Sequence, residues 1–521
     1  MRKSSQPSAF SFQLVLAAAS SSILILAFPN FNLWPLAWIA FVPLFFSIDG
    51  QKPLKSFLVS YLAGFLFFLG AVYWLIHVTL PGMIIVVMYL ALYFGIFGLT
   101  MSFIMRRSKP LGILFFAPSA WVALELARSN VFSGFGWALL SHSQTPCLGV
   151  IQIADITGAY GVSFLVMMAN AAVFLTIKEL RKKVYSSPYL GIALALIFIS
   201  LAYGMIRVKN IFTGEIFRVT IVQGNIPQAR KWDASFRQEI AGKYERLTKD
   251  AAKEKADLII WPETSVPGFL ESERDLLGRV EALAKETKTP LLVGAPREDA
   301  ASPDVYYNSA VLFDREGRIS ERYDKIHLVP FGEYLPFKGI LSFVENFAPN
   351  PIGDFRGGKD HKVFSVFMER SFRDKDYARR LVKKVEFSCL ICFEDIFPGL
   401  TREFVRSGAN FLVNITNDAW FGNTSAPYQH AQSSVFRAVE NRLNVVRAAN
   451  TGLSCFIDQK GRIVKKVEGG GRDLFVDGFA VNDIVLTNTR TFYTVYGDIF
   501  AYACVLLAAL YLFVNAFYIR R

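Results

Sequence analysis

Apolar residues are distributed along this chain in two different ways. Over the first 206 positions they form long runs with short polar breaks, and about 20 mostly apolar residues make an α-helix long enough to cross a bilayer. Seven such runs are predicted to span: Phe10 to Phe28, Leu33 to Ile48, Phe57 to Val78, Met83 to Met105, Leu111 to Ala127, Gly158 to Ile177 and Tyr189 to Met205. An eighth runs from Asp498 to Tyr518. Asn130 to Asp155 is apolar but broken by Ser, Gly and Pro, which predicts a re-entrant or interfacial stretch. The first run follows Arg2 and Lys3 as a signal peptide would, but lacks a convincing small-residue cleavage site and precedes further spans, so it reads as an uncleaved helix.

From Arg218 the pattern changes to short β-branched runs separated by amphipathic stretches. Strands are predicted at Phe217 to Gln223, Asp257 to Trp261, Pro290 to Gly294, Val305 to Phe313, Val385 to Cys392, Ala409 to Ile415 and Leu453 to Ile457. Helices are predicted at Ala234 to Lys255, Glu271 to Thr287, Pro398 to Ser407 and Ser433 to Ala449. Apolar strands alternating with helices indicate an α/β layered domain with its sheet covered on both faces. The organisation expected is therefore a transmembrane part at 1–206, a water-soluble domain at 207–495, and a last helix with a basic tail at 496–521.

Charge sharpens that division. The first part holds 12 Lys/Arg and 4 Asp/Glu, whereas residues 207–495 hold 42 and 38, so the formal net charge of +13 is mostly not on the soluble domain. A nucleic-acid binder would concentrate its excess there, and that class is set aside. With eight spans and a cytoplasmic N-terminus, the inside segments contain Arg2, Lys3, Lys52, Lys55, Arg106, Arg107, Lys109, Lys178, Arg181, Lys182, Lys183, Arg520 and Arg521, while the short outside loops contain only Arg128. The positive-inside rule then puts both termini in the cytoplasm and the soluble domain on the periplasmic side of a bacterial inner membrane. Glu125, Arg128 and Asp155 lie at membrane depth, where the first two, three apart, are expected to pair. No second half repeats the first, which argues against a transporter.

Three predicted strand ends carry reactive groups: Glu263 in WPET, Lys325 in DKIHLVPFGEY, and Cys392 in CFED. Together, and in this chain order from Arg218 to Asp483, they resemble the Glu-Lys-Cys site of the nitrilase superfamily, an αββα sandwich of carbon-nitrogen hydrolases and acyltransferases. Placed between the seventh and eighth spans of a polytopic protein, such a domain resembles the apolipoprotein N-acyltransferase family. The segments Gln223-Gly224-Asn225-Ile226-Pro227-Gln228, Lys231-Trp232-Asp233 and Asn417-Asp418-Ala419-Trp420-Phe421-Gly422 are similar to that family as well.

The chemistry expected is acyl transfer through a thioester. Cys392 needs a base or cation to become a nucleophile, Glu263 in an apolar pocket is the base, and Lys325 favours the thiolate and holds the oxyanion. Cys389 and Cys392 spell C-x-x-C, but an offset of three on a strand points them to opposite faces, against redox use. The five His residues show no ligand spacing, so neither metal nor other cofactor is expected. The resemblance implies a phospholipid donor of the sn-1 acyl chain, typically phosphatidylethanolamine. It implies as acceptor the α-amino group of an apolipoprotein's N-terminal S-diacylglyceryl cysteine, in ping-pong order. It also implies supporting roles for Glu333 and Glu394, and loops carrying Trp232 and Trp420 that admit lipid chains. The family commonly has tyrosine where this chain has Phe393, which leaves a packing role for that ring. The alternative is a membrane-tethered amidase acting on a small periplasmic amide.

Overall fold

A computed structural model describes residues 9–185, 187–299, 302–334, 354–373 and 378–517. The chain forms two compact units, Met1–Asn210 with Tyr496–Arg521, and Ile211–Val495.

In the first unit seven of the eight expected runs each contain one long helix: Ala9–Leu26, Pro53–Ala71, Leu80–Met105, Pro110–Asn130, Ala159–Arg181, Pro188–Lys209 and Ile499–Phe517. Among the described residues, the six after the first are long and apolar enough to cross a membrane. Pro53, Pro110 and Pro188 open their helices, where a missing N–H costs nothing. The third run therefore begins earlier than its apolar pattern and stops at Ala71, with a separate 3-10 turn at Tyr73–His77.

The second run departs from expectation. It is broken into a 3-10 turn, Trp34–Trp38, and a short helix, Val42–Ile48, each with a proline in its first turn. A break in so apolar a run frees backbone groups that its surroundings must satisfy. Asn170 supplies the partners: its Oδ1 accepts from Phe41 N at 2.8 Å and its Nδ2 donates to Ala37 O at 2.9 Å.

The stretch after Asn130 is irregular, as expected, with only short helical turns at Leu140–Gln144, Leu148–Ile151 and Ala154–Thr157. The charges at this depth serve it. Arg128 donates to the carbonyls of Phe135, Trp137 and Ala138, and Glu125 accepts from Leu140 N at 2.7 Å. Glu125 and Arg128 thus act on one another electrostatically, as expected, and in addition hold the backbone of this non-helical stretch. Asp155 pairs with Arg207 at 2.7 Å.

The second unit contains twelve strands among the described residues: β1 (Ile216–Gln223), β2 (Leu258–Ile260), β3 (Leu291–Asp299), β4 (Ser302–Phe313), β5 (Ile319–Asp324), β6 (Phe364–Arg373), β7 (Ala378–Ile391), β8 (Phe411–Thr416), β9 (Val445–Ala449), β10 (Cys455–Ile457), β11 (Ile463–Lys466) and β12 (Gly478–Val485). They form two six-stranded sheets ordered β12-β1-β2-β3-β4-β5 and β11-β10-β9-β8-β7-β6. Each has a parallel centre, β1-β2-β3 and β7-β8-β9. Phe217 of β1 meets Phe411 of β8 at 5.6 Å between ring centroids, so the sheets face one another. Helices Arg237–Ala252 and Arg274–Thr287 cover the first sheet, burying Ile240, Tyr244, Val280 and Leu283 with Ile259, Trp261 and Val293. Pro398–Arg406 and Ala426–Asn441 belong to the second sheet's half of the αββα sandwich.

One predicted helix is corrected. Ser433 to Ala449 is not continuous: the helix ends at Asn441, Arg442 takes φ +54°, and Val445–Ala449 is β9. The left-handed residue reverses the chain, and the following β-branched valines favour an extended strand.

Candidate active site

The site assembles where central strands end. After β2 comes Trp261-Pro262, and proline cannot extend the ladder, so the chain turns and presents Glu263. Gly294 of β3 makes room, since a Cβ there would strike the Pro262 carbonyl and Glu263 Cα. Glu263 is 6% exposed. Its Oε1 accepts from Asn308 Nδ2 at 2.8 Å and Lys325 Nζ at 3.4 Å, and its Oε2 from Asn417 N at 2.9 Å. Contrary to the expected apolar pocket, the carboxylate sits in a cage of donors contributed by residues far apart in sequence.

Lys325 follows β5, whose last residue Asp324 is clamped by Arg297 at 2.6 Å. Its buried ammonium reaches Glu333 at 2.9 Å as well as Glu263. Burial opposes the charge, but Glu333 and Glu263 outweigh it and hold the lysine protonated well above its ordinary range. Asn308 joins the groups: its Nδ2 donates to both Glu263 and Glu333, and its main-chain carbonyl accepts from Lys325 N.

Cys392 follows β7 at φ +55° and opens the 3-10 turn Cys392–Ile396. A non-glycine residue in this region is strained and persists only when its surroundings fix it. They do so here: Asn414 Nδ2 donates to the Cys392 carbonyl at 2.8 Å, and Glu394 Oε2 accepts from Ile391 N at 2.7 Å. Cys392 is partly exposed, whereas Cys389 is fully buried in β7. Burial of the sulfur and the charge of Glu263 push the Cys392 thiol up, with Lys325 pulling the other way. At rest the Cys392 side chain is therefore a thiol, and one that would have to lose its proton to a neighbour before it could attack a substrate.

The supporting residues divide between core and surface. Glu394 is completely buried, and its Oε1 accepts from Tyr323 OH, Ile326 N and His327 N, joining the Lys325 loop to the Cys392 turn. The Phe393 ring lies 5.3 Å from Lys325 Nζ and edges onto Phe397, a packing and cation–π arrangement that uses no hydroxyl. Trp232, just after the short helix Gln228–Lys231, and Trp420, in the 3-10 turn Asp418–Phe421, are 52% and 37% exposed. Among the described residues no three His, Cys, Asp or Glu side chains are grouped to hold a metal ion.

Sequence reasoning missed Asn308 and Lys231. Lys231 is 3% exposed, and its Nζ donates to the Glu263 main-chain carbonyl at 3.0 Å. The available signal was a lysine beside the tryptophan of a singled-out segment. Also missed is a fully buried network that includes Asp395 of the Cys392 turn. His430 lies 2.9 Å from both Asp395 and Asp418, while Arg447 reaches Asp395 at 3.2 Å, Asp418 at 3.1 Å and Asn414 at 2.6 Å.

Two family models and a set of named relatives match this chain. The carbon-nitrogen hydrolase family model matches residues 218–485, and that of the apolipoprotein N-acyltransferase N-terminal domain matches residues 20–172. Apolipoprotein N-acyltransferase of Geobacter metallireducens is 40% identical over 514 residues, covering 95% of this chain and 94% of the relative. The protein of that name from Haemophilus influenzae is 30% identical over 527 residues, covering 98% and 96%. The crystal structure of an amidase from Nesterenkonia sp. aligns with 56% of this chain and 94% of its own at 18% identity, with a TM-score of 0.37.

Proposed function

This chain belongs to the apolipoprotein N-acyltransferase family, and on that premise we propose how its buried Glu-Lys-Cys constellation moves an acyl group. The chain is a membrane protein and an acyltransferase of lipoprotein maturation. The observation that carries the mechanism is the contact between Glu263 and Lys325, 3.4 Å apart, with both charges acting on the Cys392 thiol.

In the first half-reaction Glu263 takes the Cys392 proton as the sulfur attacks the sn-1 ester carbonyl of a phospholipid, phosphatidylethanolamine in the first instance. The C–S bond forms, and the oxyanion is stabilised by the charge of Lys325, which Glu333 keeps protonated. The C–O bond then breaks, and the proton on Glu263 passes to the departing lysophospholipid alcohol. In the second, the α-amino group of a diacylglyceryl apolipoprotein attacks the thioester and gives a proton to Glu263. The C–S bond breaks, and the returning thiolate recovers that proton. Exposed Trp232 and Trp420 receive the acyl chains, with Glu394 and Phe393 holding the turn and the lysine in place.

The catalytic domain faces the periplasm and both termini the cytoplasm. Support comes from the basic residues of Lys52 to Lys55, Arg106 to Lys109 and Lys178 to Lys183. Arg2, Lys3, Arg520 and Arg521, counted toward the same orientation, lie outside the described residues.

The test is mass spectrometry of purified protein mixed with defined phospholipids, with a diacylated lipopeptide then added. An acyl-sized increment on the Cys392 peptide, lost on adding lipopeptide and absent from Cys392→Ser, is expected. Transfer by Cys392→Ser at the wild-type rate rules this mechanism out.

A further inference from the structure

The short helix Gln228–Lys231 is pinned to the site at both ends. Gln228 Oε1 accepts from Asn417 Nδ2 at 2.8 Å, and the Asn417 N–H binds Glu263 Oε2. At the other end Lys231 Nζ donates to the Glu263 main-chain carbonyl, and the next residue is exposed Trp232. A lysine is almost never fully buried unless its charge has partners. This one is buried beside the proposed base, with that carbonyl as its hydrogen-bond acceptor among the described residues.

We propose that Lys231 is a positioning residue for acyl transfer, holding the Glu263 main chain in register with Cys392 and coupling it to the loop that presents Trp232. The inference rests on Glu263 being the base. A side-chain carboxylate held only by its own cage can turn with its backbone. The Lys231 bond holds that backbone directly, so a shift of Trp232, the next residue, is felt at Glu263. Two charged or titratable groups act on the ammonium, Glu263 and Cys392, and both favour its charge; burial opposes them and lowers Lys231 to about 8.

The experiment reads the rate at which iodoacetamide alkylates Cys392 in the full-length protein, by peptide mass spectrometry from pH 6 to 10, which needs no lipid substrate. Thioester formation with phosphatidylethanolamine is followed in parallel. For Lys231→Met, alkylation and kcat fall by about 10- to 100-fold while KM for the phospholipid changes less than about threefold, as for a misaligned base. In the wild-type protein, loss of the Lys231 charge flattens the rise of alkylation above about pH 8. Lys231→Arg, which keeps its charge, regains part of the rate and shows no such break. Wild-type alkylation and kcat in Lys231→Met overturn the proposal. So does a Lys231→Arg protein that is folded, yet as slow as Lys231→Met and with the wild-type break. If wild-type protein shows the Lys231-dependent alkylation but forms no thioester, the phospholipid assignment fails while the role of Lys231 stands.

Discussion

Glu394 is fully buried, and its two oxygens collect donors from Ile391, Tyr323, Ile326 and His327. Burial nevertheless dominates and raises its carboxyl to about 7. The folded chain therefore holds this proton more tightly than the unfolded one, so the group favours folding below its ordinary range near 4.5 and loses that contribution as pH rises through about 7. The amount is at most about 3 kcal/mol. The thermal midpoint of the wild-type protein should drop more between pH 5 and 8 than that of Glu394→Gln, whose neutral amide does not titrate. At Gly294 the constraint is steric instead. Gly294→Ala should lower kcat by about 10- to 100-fold by displacing Glu263, with a smaller effect on the amount of folded protein, measured by turnover and circular dichroism. Glu263 and Cys392 stood out as candidates because each ends an apolar run in a motif, and Lys325 because it precedes an apolar loop bearing Pro and Gly; the structure brings Lys325 to within 3.4 Å of Glu263. Asn308 and Lys231 did not, because each meets Glu263 across 45 and 32 residues respectively, where no local pattern marks the contact.

Elements show the same limit. Strands β1, β2, β3, β4, β7, β8 and β10 were readable because their buried cores leave apolar, β-branched runs in the sequence. Sheet-edge strands β5 and β11 read ISERYD and IVKK, where one face is wet and the pattern dissolves into charge. The end of the predicted helix Ser433 to Ala449 failed differently: Arg442 ends the helix but is neither Gly nor Asn, the usual left-handed residues. The strand beyond it carries Arg447, the cation that ties Asn414, Asp395 and Asp418 together. Arg447→Met should cost about 3–5 kcal/mol, because it leaves buried carboxylates uncompensated, and should appear as a lowered thermal midpoint together with slower thioester formation. In the membrane unit, Asn170→Leu should cost about 2–4 kcal/mol by stranding Phe41 N and Ala37 O, read as a lowered midpoint in detergent.

At the scale of the molecule, the proposed orientation accounts for the charge that looks like basicity. In intact cells, a cysteine introduced as Lys383→Cys, on an exposed strand of the catalytic unit, should react with a membrane-impermeant maleimide. Lys182→Cys should react only with a permeant one. The sequence disclosed two bodies because lipid and water select such different compositions, but it did not disclose how the second closes. Its first strand pairs along its whole length with its last, Ile216 against Val485 through Gln223 against Gly478. During synthesis β1 is made early and its outer edge waits for more than 250 residues before β12 arrives. The catalytic sheet is thus sealed by one of its final segments, shortly before the Ile499–Phe517 helix is translated. A nascent chain stopped short of Gly478 displays an open strand edge, a site for proteases, chaperones or another copy to add a strand. The order of manufacture thereby acts as a checkpoint, since protection of β1 from proteolysis reports that translation has reached β12.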